Sequence, residues 1–159
     1  MADNLATQRR DSDDLAVGNG LGYTVKSLCA TVSLASGAAV NDTITFGRIP
    51  AGARILCSSR IYNDDLSSAA APTLDLGLFN VNSNITDDDD ALNDGIALVA
   101  AGSDLQVVKD HANAGKKAWE FVSGQTTDPK GEFIVRGTLK DAVTNITGDV
   151  TLELYYVVD

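Results

Sequence analysis

Asp87 to Asp90 are four consecutive aspartates, with Asn82, Asn84 and Asp94 close by. Hard oxygen donors at short spacing are what Ca²⁺ takes. The layout is wrong for an EF-hand loop, which needs alternating acidic positions, a central glycine and a closing bidentate glutamate. Carboxylates on consecutive positions also point in different directions. We therefore expect a solvated acidic helix start that requires no metal and no cofactor. His111 is the single histidine, in the polar stretch HANAGKK. Any Ser-His-Asp or Cys-His arrangement would have to use it. No G-x-S-x-G context accompanies it, and Gly18-Asn19-Gly20-Leu21-Gly22 lacks the lysine of a phosphate loop. The expectation is a protein without a catalytic site.

Two cysteines, Cys29 and Cys57, fall within expected strands. We read them as small buried hydrophobes. A disulfide between them would need neighbouring strands. Two cysteines and one histidine cannot complete a four-ligand zinc site. Asn-X-Thr sequons start at Asn41, Asn84 and Asn145, but without a secretory route they are coincidental. Among the aromatic residues, Trp119 and Phe121 share one strand face and are expected in the core. Tyr23, Tyr62, Tyr155 and Tyr156 complete the set from which a sugar-binding platform would be built. Tyr155 lies opposite the buried face of its strand, where a partner or ligand can cover it.

The elements that hold these residues follow a period of two. From Asn41 to Asn63, Ile44 and Phe46 face one way and Thr43 and Thr45 the other; Ala53, Ile55, Cys57 and Ile61 then share a face. Pro50 and Gly52 fit a type I turn, so this stretch predicts a β-hairpin. Before it, Leu28, Ala30, Val32 and Leu34 alternate with Cys29, Thr31 and Ser33. After it, the small polar segment 63–72 carries the chain from one sheet to another. Thr73 to Asn80 places Leu74, Leu76 and Leu78 on one face and Asp75 and Gly77 on the other. A helix is expected over 88–101, with Thr86 as N-cap, Leu92, Ile96 and Val99 at helical spacing and Gly102 as C-cap. The alternative is an edge strand over Ile96 to Ala100. Ser103 to Gln106 has the capping-box spacing of a second helical turn. Ala118 to Val122 reads as a strand, and Asp128-Pro129-Lys130-Gly131 as a type I turn. Phe133, Val135 and Leu139 mark the next strand. Val150, Leu152, Leu154, Tyr156 and Val158 mark the last, which should lie in a sheet interior.

Seven such strands, or eight, suit an all-β antiparallel sandwich of jelly-roll or Greek-key type with a short helical insertion. The chain has 159 residues, 44% of them hydrophobic, and a net charge of −10. That is enough for one domain with a sizeable core. So negative a chain is poorly suited to nucleic acid or anionic membrane. No apolar run has the length of a signal peptide or a membrane span, which predicts folding in a cytoplasm. Residues 1–22 show no strand or helix period. They read as an arm before a sandwich over 23–159, either a disordered tail or a segment that orders on a partner.

The arm before Tyr23, the segment VSLASGAAVNDTITFGRIPAGARI (Val32 to Ile55), the strand Leu74 to Phe79 and the closing strand Val150 to Val158 together resemble small structural proteins of tailed-phage virions, in particular capsid decoration or cement proteins. The resemblance implies a non-enzymatic protein that binds a major capsid protein or another virion protein, resides in the virion and self-associates, with a homotrimer favoured. Arg9, Arg10 and Leu15 in the arm, and Tyr155 on the sandwich, are the residues expected to bind a partner. The alternative is a carbohydrate- or receptor-binding sandwich.

Overall fold

The computed structural model describes residues 24–35, 38–66, 71–81, 87–99, 101–141 and 146–158. Apolar–polar alternation gives nine strands: β1 (Lys26–Leu34), β2 (Thr43–Pro50), β3 (Ala53–Ile55), β4 (Arg60–Asn63), β5 (Thr73–Asn80), β6 (Asp88–Ala97), β7 (Gly102–Gln106), β8 (Glu132–Lys140) and β9 (Gly148–Val158). One sheet has the order β1-β9-β4-β7, with β3 also on β9; the other is β2-β8-β5-β6. All pairs are antiparallel. The fold is an all-β antiparallel sandwich of two sheets, as the alternation predicts.

One core lies between the sheets. Ile44, Phe46 and Ile49 of β2, Leu74, Leu76 and Leu78 of β5, Phe133, Val135 and Leu139 of β8, and Val150, Leu152 and Leu154 of β9 are all buried in it. Burial of each such side chain contributes ~1.5–3 kcal/mol. Leu28, Val32, Leu34, Trp119 and Tyr156, also expected inside, are only partly buried against it. As expected, β9 is an interior strand. One edge of it carries β1, from Lys26↔Tyr156 to Leu34↔Gly148, and the other carries β4 and then β3.

The hairpin expected over 41–63 does not form. β2 pairs with β8 in one sheet, whereas β3 and β4 pair with β9 in the other. The turn after Pro50 is a passage between layers, anchored by partners outside it. The Ala51 N–H donates to Gly131 O (2.9 Å), and Ala51 O accepts from the Trp119 N–H (3.2 Å). The cysteines are corrected too. Cys29 lies on the outer face of β1, Cys57 falls in the turn between β3 and β4, and both are exposed free thiols.

The helix expected over 88–101 is strand β6 up to Ala97, paired with β5. Its register against β5 breaks twice, between the partners of Leu74 and Leu76 and again between those of Leu76 and Leu78. Each break resets the period of two, so Leu92, Asn93 and Ile96 are all buried at a spacing that imitates a helix. Thr86, the expected N-cap, lies outside the described residues. Ser103 to Gln106 belongs to β7 and is not a helical turn. The reverse exchange occurs at Ala118 to Val122, where a single helical turn, α1 (Ala118–Phe121), replaces the expected strand. Its first turn is tied by Lys117 N–H to Glu120 Oε2 (2.6 Å), and it buries Ala118 and Phe121, with Val122 following. At Lys130, φ is +61°. That sign excludes a type I turn at 128–131 and agrees with type II.

Candidate protein-binding surface

Of the four residues expected to contact a partner, Arg9, Arg10 and Leu15 lie outside the described residues. Tyr155 is placed on the outer face of the β1-containing sheet, half-buried, as the alternation of β9 requires. Its position depends on a break in the neighbouring edge. β4 covers β9 from Val150 to Glu153 and β3 covers it from Tyr156 to Val158, leaving the Tyr155 backbone between them. Ser59 fills this gap with its side chain. The Tyr155 N–H donates to Ser59 Oγ (2.9 Å), and Ser59 Oγ donates back to Tyr155 O (3.3 Å). Leu56 N–H also donates to Tyr155 O (2.9 Å). Ser59 is 1% exposed, so these bonds are made out of water.

On the outer face, two phenols converge on one carboxylate. Tyr62 of β4 donates to Glu153 Oε2 at 3.0 Å, and the Tyr155 hydroxyl also hydrogen-bonds Glu153. That bond, followed by partial burial and the negative charge of Glu153, raises the Tyr155 pKa above the usual tyrosine range. Ionising the phenol would put a second negative charge beside the first. Next to this pair, Thr31 and Thr151 share a hydroxyl hydrogen bond of 2.8 Å across β1 and β9. Arg60 Nη1 is turned to the Cys57 and Ser59 carbonyls (2.9 and 3.1 Å). A shallow hollow of about 120 Å³ lies beside Tyr62, lined by Asn63, Asp64, Asp149 and Thr151. Small-molecule pockets run to ~300–1,000 Å³. The hollow is smaller than such a pocket, and the surface around it is polar and aromatic.

The acidic tract occupies the outer face of the other sheet. Asp88 Oδ2 accepts the Ser123 N–H (2.6 Å), Asp87 Oδ1 accepts the Asn80 N–H (3.0 Å), and Asp89 meets Lys140 Nζ at 2.9 Å. Asp75 lies 3.8 Å from the same ammonium and accepts the Gly95 N–H at 2.9 Å. The carboxylates are thus spent on different backbone and lysine partners. Among the described residues, no three His, Cys, Asp or Glu side chains are grouped to hold a metal ion. Burial raises the Asp75 pKa above the ordinary carboxylate range, against the pull of the Gly95 N–H and Lys140. Asp90 is raised by a hydrogen bond shared with Asp88 and then by burial. Of the candidate calcium donors weighed from the sequence, Asn82 and Asn84 lie outside the described residues.

Sequence reasoning missed Tyr62, Glu153 and Ser59 as a unit with Tyr155. Parity places Glu153 beside Tyr155 on β9. No sequence signal shows that β4 pairs there, and a serine in a short polar link carries none either. Trp119 and Phe121 pack on the core from α1, so they build no exposed platform.

No protein-family model matches the sequence, and no curated protein matches it. Among solved structures the chain is similar to one titled "Capsid of Ralstonia phage GP4", with a TM-score of 0.61 and 18% identity over 86% of this chain and 85% of that one. At that identity the likeness is one of fold.

Proposed function

We infer that this protein is a structural component of a tailed-phage virion, decorating and stabilising a capsid by protein–protein contacts and without catalysis. The observation that carries the reading is the fold shared with a phage capsid structure along 86% of the chain. The outer surface around Glu153 agrees with it, since Tyr62 and Tyr155 present aromatic area in fixed orientations, the kind of group that anchors protein interfaces. The partner is a major capsid protein or another virion protein. Self-association, with a trimer favoured, is what the sequence's resemblance to capsid decoration proteins implies. A carbohydrate-binding role has less support, because the largest aromatic side chains are committed to the core.

Arg9, Arg10 and Leu15 supply the arm's contacts in this reading. An arm that orders on binding gives weak individual contacts, and repetition over a lattice supplies avidity. The test is deletion of residues 1–22. The expected result is an unchanged melting curve with loss of attachment to capsid particles. Wild-type occupancy by the truncated chain would move the binding surface onto the sandwich. No attachment by the full-length chain to any particle, with binding in a glycan screen, would replace the reading with the carbohydrate one.

A further inference from the structure

We propose that the outer edge of β1 pairs antiparallel with β1 of a second copy of this chain, joining two sandwiches through one continuous sheet. Five strands end the two sheets of the sandwich: β1, β7 and β3 in one, β2 and β6 in the other. An edge strand presents unpaired N–H and C=O groups that attract another strand unless something blunts it. Four of the five are blunted. β3 has three residues, and its Arg54 also bridges Lys117. β2 carries a register break at Gly47 and ends in Pro50. β6 carries Asp88, Asp89, Asp90 and Asp94 and two register breaks. β7 has five residues and pairs irregularly. β1 has nine residues in unbroken register with β9, no proline and no charged residue after Lys26. Among the described residues, no strand pairs with its outer edge.

Its inner row is also incompletely covered. Leu28, Ala30, Val32 and Leu34 are half-buried, where the inner rows of β2, β5 and β8, and that of β9 from Val150 to Leu154, are buried. A strand added beside β1 would close both deficits. Charge indicates which strand. Between Asp14 and Asp42 the sequence has one charged residue, Lys26, in a chain of net charge −10. This edge does not attract a basic partner. It is where two copies, each strongly negative, can approach without opposing carboxylates. The contact is isologous, so the half-buried row of each copy covers that of the other. In a fully overlapped seam the two Lys26 side chains sit at opposite ends, roughly 27 Å apart at about 3.4 Å per residue. That is well beyond the Debye length of ~8 Å. A two-fold seam cannot close a ring of three, so it is a different contact from the trimer of the proposed function and does not depend on that reading.

The test uses the purified full-length chain in sedimentation equilibrium, with two double variants. Cys29 and Thr31 are exposed on the outer face of β1. C29E/T31E and C29K/T31K each set like charges across the seam. The wild type is expected to dimerise, each variant alone to associate roughly ten-fold more weakly or worse, and an equimolar mixture of the two to regain dimers. A wild type that is monomeric or purely trimeric, or variants that associate as the wild type does, would overturn the proposal. Should the variants fail to fold, hydrogen exchange of the wild type decides. Protection of residues 26–34 must rise with protein concentration; protection independent of concentration, or none, would overturn it.

Discussion

Ser59 does the work of a missing strand residue. Its hydroxyl accepts the Tyr155 N–H and donates to the Tyr155 carbonyl where neither β3 nor β4 reaches. Ser59→Ala leaves a buried amide without its acceptor, so it should cost ~1–3 kcal/mol in denaturant unfolding. A cost near zero would mean that another group takes the bond. Leu76, 0% exposed, belongs to the core proper. Leu76→Ala should cost ~2–5 kcal/mol, read as a lower denaturation midpoint at unchanged slope. The Tyr155 pKa is raised by Glu153. Its contribution is therefore complete below the ordinary tyrosine range and is lost as pH rises through the shifted value. Tyr155→Phe should flatten that alkaline loss. The core leucines were legible because burial on a strand face leaves a period in the sequence. Ser59 and the Tyr62–Glu153–Tyr155 cluster were not, because they form only when β4 and β9 pair.

The element that sequence reasoning misjudged most is β6. Its register breaks shift buried residues from one parity to the other, and the resulting spacing of Leu92 and Ile96 passes for a helical one. The reason for the distortion lies on β5. A Cβ placed at Gly77 would fall on the Asp88 carbonyl oxygen and within 2.5 Å of the Asp89 Cα. The acidic tract thus crosses directly over a position that has no side chain, and Asp75 and Gly77, on the face opposite the leucines, are buried beneath it. Gly77→Ala should destabilise by ~1–3 kcal/mol, since backbone and not a flexible side-chain tip has to move. Asp75→Asn should act in the opposite sense. Because burial raises the carboxyl's folded pKa, the protonated form is favoured in the fold, and stability falls as pH rises above the ordinary carboxylate range. Asparagine keeps an acceptor for the Gly95 N–H, and Lys140 keeps Asp89. Thermal melts at neutral pH should place the variant above the wild type, with the difference shrinking towards pH ~4.

At the scale of the molecule, alternation identified the sandwich but not which strand lies beside which. The stretch from Asn41 to Asn63 has the pattern and turn residues of a hairpin, and either pairing would bury the same side chains. The outcome is decided by contacts remote in sequence, such as Ala51 with Gly131 and Trp119. The same remoteness governs the order of events during synthesis. β9 is the interior strand on which β1, β3 and β4 are laid, and it is translated after the other eight. Until it leaves the ribosome, β1 waits for a partner more than a hundred residues downstream. Until β9 is made, half of the sandwich therefore has no scaffold. Its closure has to await β9 and is of the slow, non-local kind. Nascent chains arrested before residue 148 should remain open to protease along β1, β3 and β4, however long they are held.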